Sequence, residues 1–145
     1  MEIIKSQIIP EVIKIKPTVY KDDRGSFVES YRRTESYHDF VQDNISFSKG
    51  NVLRGLHYQK ERPQGKLVTC LSGIIFDVAV DMRKESHTFG KWTVFTLEGN
   101  KKEQVWIPEG FAHGFQTLID AVVMYKTTDY YCPEYERTLI WNDPK

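Results

Sequence analysis

Only two cysteines occur in 145 residues, Cys70 inside an apolar run and Cys132 beside Pro133. They make neither a disulfide framework nor a Cys-x-x-Cys metal pair, which excludes a small disulfide-stapled scaffold and a zinc ribbon. With no signal-like N-terminus, a reducing cytoplasm is the expected compartment. Net charge is also lacking: 20 lysines and arginines balance 20 aspartates and glutamates. No global field therefore recommends nucleic acid or an anionic membrane as the main partner, although a local basic site remains allowed. No apolar run approaches the roughly 20 residues that span a bilayer, and a soluble protein is expected. Helical periodicity is scarce as well. Thr34 to Gln42 is the one credible short helix, with Thr34 as N-cap and Tyr37, Phe40 and Val41 at helical spacing. Repeats, low-complexity tracts and linkers are missing, so residues 1–145 read as a single domain.

What the chain does have is short apolar and β-branched runs punctuated by turn residues. Residues 12–19 alternate around Ile13 and Ile15, a turn falls at Asp22-Asp23-Arg24-Gly25, and Phe27 to Tyr31 reads as the strand after it. From Gly65 onward, residues 66–71, 74–82, 92–97, 104–107, 114–118 and 121–131 are strand-like. Ser72-Gly73, Glu98-Gly99-Asn100 and Pro108-Glu109-Gly110 separate them. Many short strands with such punctuation predict an all-β sandwich or barrel.

Four residues carry proton chemistry in apolar surroundings: His57 in Arg54-Gly55-Leu56-His57-Tyr58-Gln59, Lys66 at the start of the next strand, His113 in Phe111 to Phe115, and Tyr125 in Val122 to Lys126. By pattern alone, a strand histidine is more often a hydrogen-bonded wall residue than a base. A strand tyrosine usually packs its ring, and Lys66 would ordinarily be a solvated flank residue. Asp77 and Asp81 share one strand face with Ile75 and Ala79 by alternation. A carboxylate amid that much apolar surface needs a partner. Of the two, Asp81 better fits a solvent-facing strand end.

The ordered runs Asp23 to Phe27, Val52 to Gln59, Gly65 to Val68, Ile75 to Asp81, Thr88 to Trp92, Trp106 to Phe115 and Tyr125 to Tyr131 resemble the dTDP-4-dehydrorhamnose 3,5-epimerase family. The resemblance covers nearly the whole chain. It implies a double-stranded β-helix, the cupin jelly roll, here with one short helix and a site in the barrel mouth. It further implies epimerisation of a dTDP-4-keto-6-deoxyhexose at C3, C5 or both, in rhamnose-type deoxysugar biosynthesis. In that scheme His57 is the base, Tyr125 the acid across the ring, and Lys66 the cation near the C4 oxygen. Asp77 orients His113, a supporting donor near the sugar. Arg24, Glu29, Gln42, Asn44, Arg54 and Glu136 match substrate contacts, and Tyr131 and Phe27 are the candidate stacking surfaces for thymine. Members are similarly described as homodimers with sites near the interface. Ile13, Ile15, Val19, Phe27, Val28 and Tyr31 give more apolar strand than one small barrel readily covers, which agrees with a dimer. The resemblance also implies an aspartate beyond Lys145 that pairs with the catalytic histidine, so His57 is expected here without that partner.

Metal cupins typically supply two histidines where Leu56-His57-Tyr58 supplies one. With His57 and His113 as the only obvious ligands, metal-free and cofactor-free chemistry is expected. Two alternatives stay open: a nucleotide-sugar 3,4-ketoisomerase, and a noncatalytic nucleotide-sugar-binding cupin.

Overall fold

A computed structural model describes residues 1–33 and 39–140. Its strands are, in order, β1 (Glu2–Lys5), β2 (Ile13–Lys16), β3 (Val19–Asp22), β4 (Gly25–Val28), β5 (Gln42–Ser48), β6 (Leu53–Gln59) and β7 (Lys66–Ser72). Then follow β8 (Ile74–Asp81), β9 (Trp92–Glu98), β10 (Gln104–Ile107), β11 (Phe111–Thr117), β12 (Ala121–Thr127) and β13 (Glu136–Thr138). Two short 3₁₀ turns, Gly99–Lys101 and Pro133–Tyr135, are the only helical pieces among the described residues. The short helix expected over Thr34 to Gln42 falls mostly on residues 34–38, outside the described residues. Residues 39–41 are irregular, and Gln42 opens a strand instead.

A six-stranded sheet in the order β1-β2-β10-β7-β12-β5 faces a five-stranded sheet in the order β13-β6-β11-β8-β9, and among the described residues β3 pairs only with β4. All pairings are antiparallel. This is the all-β jelly roll that the strand pattern and the resemblance implied. Period-2 alternation sends Val68 and Cys70 of β7, Ile75 and Ala79 of β8, Phe111 and Phe115 of β11, and Ala121 and Val123 of β12 into one shared core. Leu97, Val105 and Ile107 complete it. The β7–β8 turn depends on Gly73, whose φ of +88° and closeness to Ala121 leave no place for a side chain.

The core fills only one end of the sandwich. Toward β5 and β6 the same inward positions carry polar side chains, and the space between the sheets opens into a cavity.

Asp81 departs from expectation. Its side chain is fully buried and accepts hydrogen bonds from Arg83 Nη2 (2.8 Å), Ser86 Oγ (2.6 Å) and Thr88 Oγ1 (2.5 Å). Burial alone would raise its pKa, but these donors hold the carboxyl well below the usual carboxylate range. Residues 83–88 fold back over the end of β8, so this strand terminus never meets solvent.

Candidate active site

Gly55 sets the position of His57. Its φ is +106°, and a β carbon there would meet the His113 carbonyl oxygen at 2.6 Å and Gly114 Cα at 2.7 Å. β6 and β11 therefore approach closely, with a register shift between His113 and Phe115, and His57 and His113 stand directly opposite each other. Both imidazoles line a cavity of about 550 Å³.

The facing sheet contributes the other groups. Inward alternation along β7 carries Lys66 on the same side as Val68 and Cys70, and along β12 it carries Tyr125 on the same side as Val123. Lys66 Nζ lies 5.6 Å from the centroid of the Tyr125 ring. β5 adds Gln42, Asn44 and Ser46 along one face, while Tyr131 and Glu136 close the mouth. An imidazole thus stands on one sheet while a phenol and an ammonium stand on the other, across a single cavity.

Electrostatics separate the roles these groups can play. Burial lowers the His57 pKa below its ordinary 6.5; Glu136 opposes this, while Lys66 and His113 add to it. At neutral pH the ring is therefore uncharged and able to accept a proton. Its Nδ1 lies 3.5 Å from Glu136 Oε1 and 3.4 Å from Thr138 Oγ1. Burial pulls Lys66 down to about 8, with Asp77 and Glu136 resisting. Burial also raises Tyr125 above 10, assisted by Glu136, while Arg54 and a hydrogen bond with Asn44 act the other way. This phenol keeps its proton at neutral pH. His113 Nε2 donates to Asp77 Oδ2 at 2.7 Å, and both side chains are buried. Asp77 thereby gains the partner that a carboxylate on an apolar strand face requires.

Of the residues singled out in the sequence, His57, Lys66, His113, Tyr125, Gln42, Asn44, Arg54, Tyr131 and Glu136 line the one cavity, with Asp77 directly behind His113. Lys66 is not the solvated flank residue its residue type suggests, because strand parity turns it inward. Arg24, Phe27 and Glu29 are not brought there. Arg24 pairs with Asp22 at 2.6 Å, Glu29 pairs with Arg32 at 2.7 Å, and Phe27 on β4 is 68% exposed. Gln64 and Ser46 line the cavity without having been anticipated. The alternation through Gln42 and Asn44 carries the signal for Ser46. Gln64 sits on an irregular loop with no such signal. No group of three or more His, Cys, Asp or Glu suited to a metal ion occurs among the described residues. Nor is any described helix long and apolar enough to cross a membrane.

Comparison with known proteins agrees with this geometry. The sequence profile described as dTDP-4-dehydrorhamnose 3,5-epimerase matches residues 6–145. The dTDP-4-dehydrorhamnose 3,5-epimerase of Salmonella typhimurium is 51% identical over 152 residues, covering 99% of this chain and 82% of the relative. A crystal structure of the Legionella pneumophila dTDP-6-deoxy-D-glucose-3,5-epimerase in complex with dTDP-4-keto-L-rhamnose superposes with a TM-score of 0.94 at 49% identity, covering 99% of this chain and 79% of that one. A 3'-monoepimerase from Streptomyces bikiniensis in complex with dTDP-quinovose gives a TM-score of 0.88 at 31% identity, covering 97% and 75% of the two chains. With matching extents of this size in sequence and in fold, the chain belongs to the dTDP-4-dehydrorhamnose 3,5-epimerase family.

Proposed function

We propose that this chain epimerises a dTDP-4-keto-6-deoxyhexose at C3, C5 or both, in rhamnose-type deoxysugar biosynthesis. The observation that carries the reading is the opposed placement of His57 and Tyr125, with Lys66 beside the phenol. Inversion next to a ketone needs a base on one face of the ring, an acid on the other, and a positive group at the enolate oxygen. His57 removes the proton, Lys66 stabilises charge developing on the C4 oxygen, and Tyr125 returns a proton from the opposite side. The buried Asp77–His113 pair holds a further donor against the sugar. A pocket that only bound a nucleotide sugar would have no use for an acid and a base on opposite walls. Arg54 suits the diphosphate, and Tyr131 offers its ring to the thymine.

Incubation with dTDP-4-keto-6-deoxyglucose in deuterated water, followed by NMR, tests this. Label at both C3 and C5 is the result expected of a double epimerase, and label at one carbon indicates a monoepimerase. A carbonyl moved to C3 would establish the ketoisomerase alternative. Binding with no exchange at either carbon would leave the noncatalytic alternative standing.

Homodimerisation belongs to the same proposal. Among the described residues the β3–β4 hairpin pairs with no other strand, and it carries Arg24 and Phe27 outside the cavity of its own chain. A second copy that received this hairpin at its barrel mouth would obtain the contacts the resemblance implies, and would cover Phe27. Light scattering at micromolar concentration should show a dimer whose activity falls with dissociation. A fully active monomer on dilution would defeat the shared site. The whole of 1–145 acts as one catalytic unit in this reading. A cytoplasmic location fits the free thiols of Cys70 and Cys132.

A further inference from the structure

Two residues beyond His57 on the same inward face of β6 lies Gln59, 5% exposed and outside the catalytic roles assigned above. Every hydrogen-bonding direction it uses is spent on two loops. Its Nε2 donates to Arg62 O (2.8 Å) in the β6–β7 connection and to Tyr130 O (3.2 Å) after β12. Its Oε1 accepts from Cys132 N–H (2.8 Å). The carbonyl just before Tyr131 and the amide just after it are therefore held by one side chain. Tyr131 N–H in turn donates to Gln42 Oε1 at 3.1 Å, so both peptide planes flanking Tyr131 are fixed. Arg62 reinforces the junction with a two-point pair to Asp129 at 2.6 and 3.2 Å.

We propose that Gln59 is a positioning residue for nucleotide recognition, acting through Tyr131. The inference rests on the functional reading above, in which the Tyr131 ring meets the base. An aromatic platform half-exposed on a loop has no packed core to hold it. Its usefulness depends on how little it must be ordered when the ligand arrives. Gln59 ties that platform to the strand that carries His57, so the nucleobase shelf and the base are set at a fixed separation by a single strand. Gln64 of the same connection donates to Asp129 O at 2.9 Å and draws the two loops together behind the shelf.

A double-mutant cycle read by calorimetric titration with dTDP tests the assignment. Tyr131→Ala should weaken dTDP by about tenfold or more, the order expected for loss of one stacking face. Gln59→Leu should weaken it by a comparable factor, and the double variant should bind no worse than Tyr131→Ala alone, within about twofold. With the sugar substrate, Gln59→Leu should raise KM and leave kcat within a few-fold of wild type. Gln59→Glu, nearly the same shape, keeps the acceptor for Cys132 and loses both donations; it is measured in parallel in case the leucine variant does not fold. Losses that multiply in the double variant overturn the proposal, because general loosening would act equally with or without the Tyr131 ring. Unchanged dTDP affinity in Gln59→Glu overturns it too. Wild-type protein that fails to bind dTDP at all would instead overturn the functional reading from which the proposal starts.

Discussion

His57→Ala should lose solvent exchange at the sugar by roughly 10²- to 10⁴-fold while keeping most of its affinity for dTDP. The size follows from the arrangement. His57 is the one group on the five-stranded sheet whose pKa is shifted so as to keep it neutral, and nothing beside it replaces that function: His113 is committed to Asp77 at 2.7 Å. Affinity should persist because Arg54 and Tyr131 lie on other parts of the cavity wall. Deuterium incorporation into the keto sugar measures the loss, and titration with dTDP measures the retained binding. Near-normal exchange would remove His57 from the base role. Tyr125→Phe supplies the contrast. It deletes the proton returned from the far side but leaves the base and the cation in place, so exchange should survive better than net inversion. Equal loss of both would reduce Tyr125 to a wall of the pocket.

The strand pattern made an all-β barrel legible in the sequence, while the roles of His57, Lys66 and Tyr125 were legible only through the family resemblance. Parity in the folded strand supplies the physical reason for Lys66. The positions 66, 68 and 70 share a face, and since Val68 and Cys70 are core, Lys66 had to enter the same interior. β5 was missed for the opposite reason. Its inward positions Gln42, Asn44 and Ser46 are polar because they line the site, whereas Ile45 and Phe47 face outward. A rule that expects apolar residues inside has no means of recognising a strand whose inner face is built for a ligand. Tertiary context also defeats purely local reading at Asp81, whose partners Arg83, Ser86 and Thr88 return from the following turn. The roles of Arg24, Phe27 and Glu29 came from resemblance rather than from local pattern, and the single chain leaves all three away from the cavity. Gln59 was visible only as a letter in a motif; its function depends on two loops that approach it from distant parts of the sequence.

Lys66 is where pH dependence should be most informative. Its ammonium is held near the Tyr125 ring in a desolvated position, and its pKa falls to about 8. A lysine with a depressed pKa is charged below that value and neutral above it. Stabilisation of the C4 oxygen should therefore be present at neutral pH and disappear as the pH rises through about 8. At the acid end His57 must be uncharged, so activity should be lost only below its ordinary 6.5. The free-enzyme profile of kcat/KM is then a bell with a limb from each residue. Tyr125 cannot account for the basic limb, because its pKa is raised above 10. Lys66→Ala should lower turnover by about 10²- to 10³-fold, the scale of losing one group that stabilises an oxyanion, with a much smaller effect on dTDP affinity. Lys66→Arg keeps a charge throughout the accessible range, and whatever rate it retains should show no decline near pH 8. A basic limb that persists unchanged in Lys66→Arg would assign that ionisation to another group. A pure KM effect in Lys66→Ala would make the lysine a phosphate contact and leave the enolate oxygen without its cation.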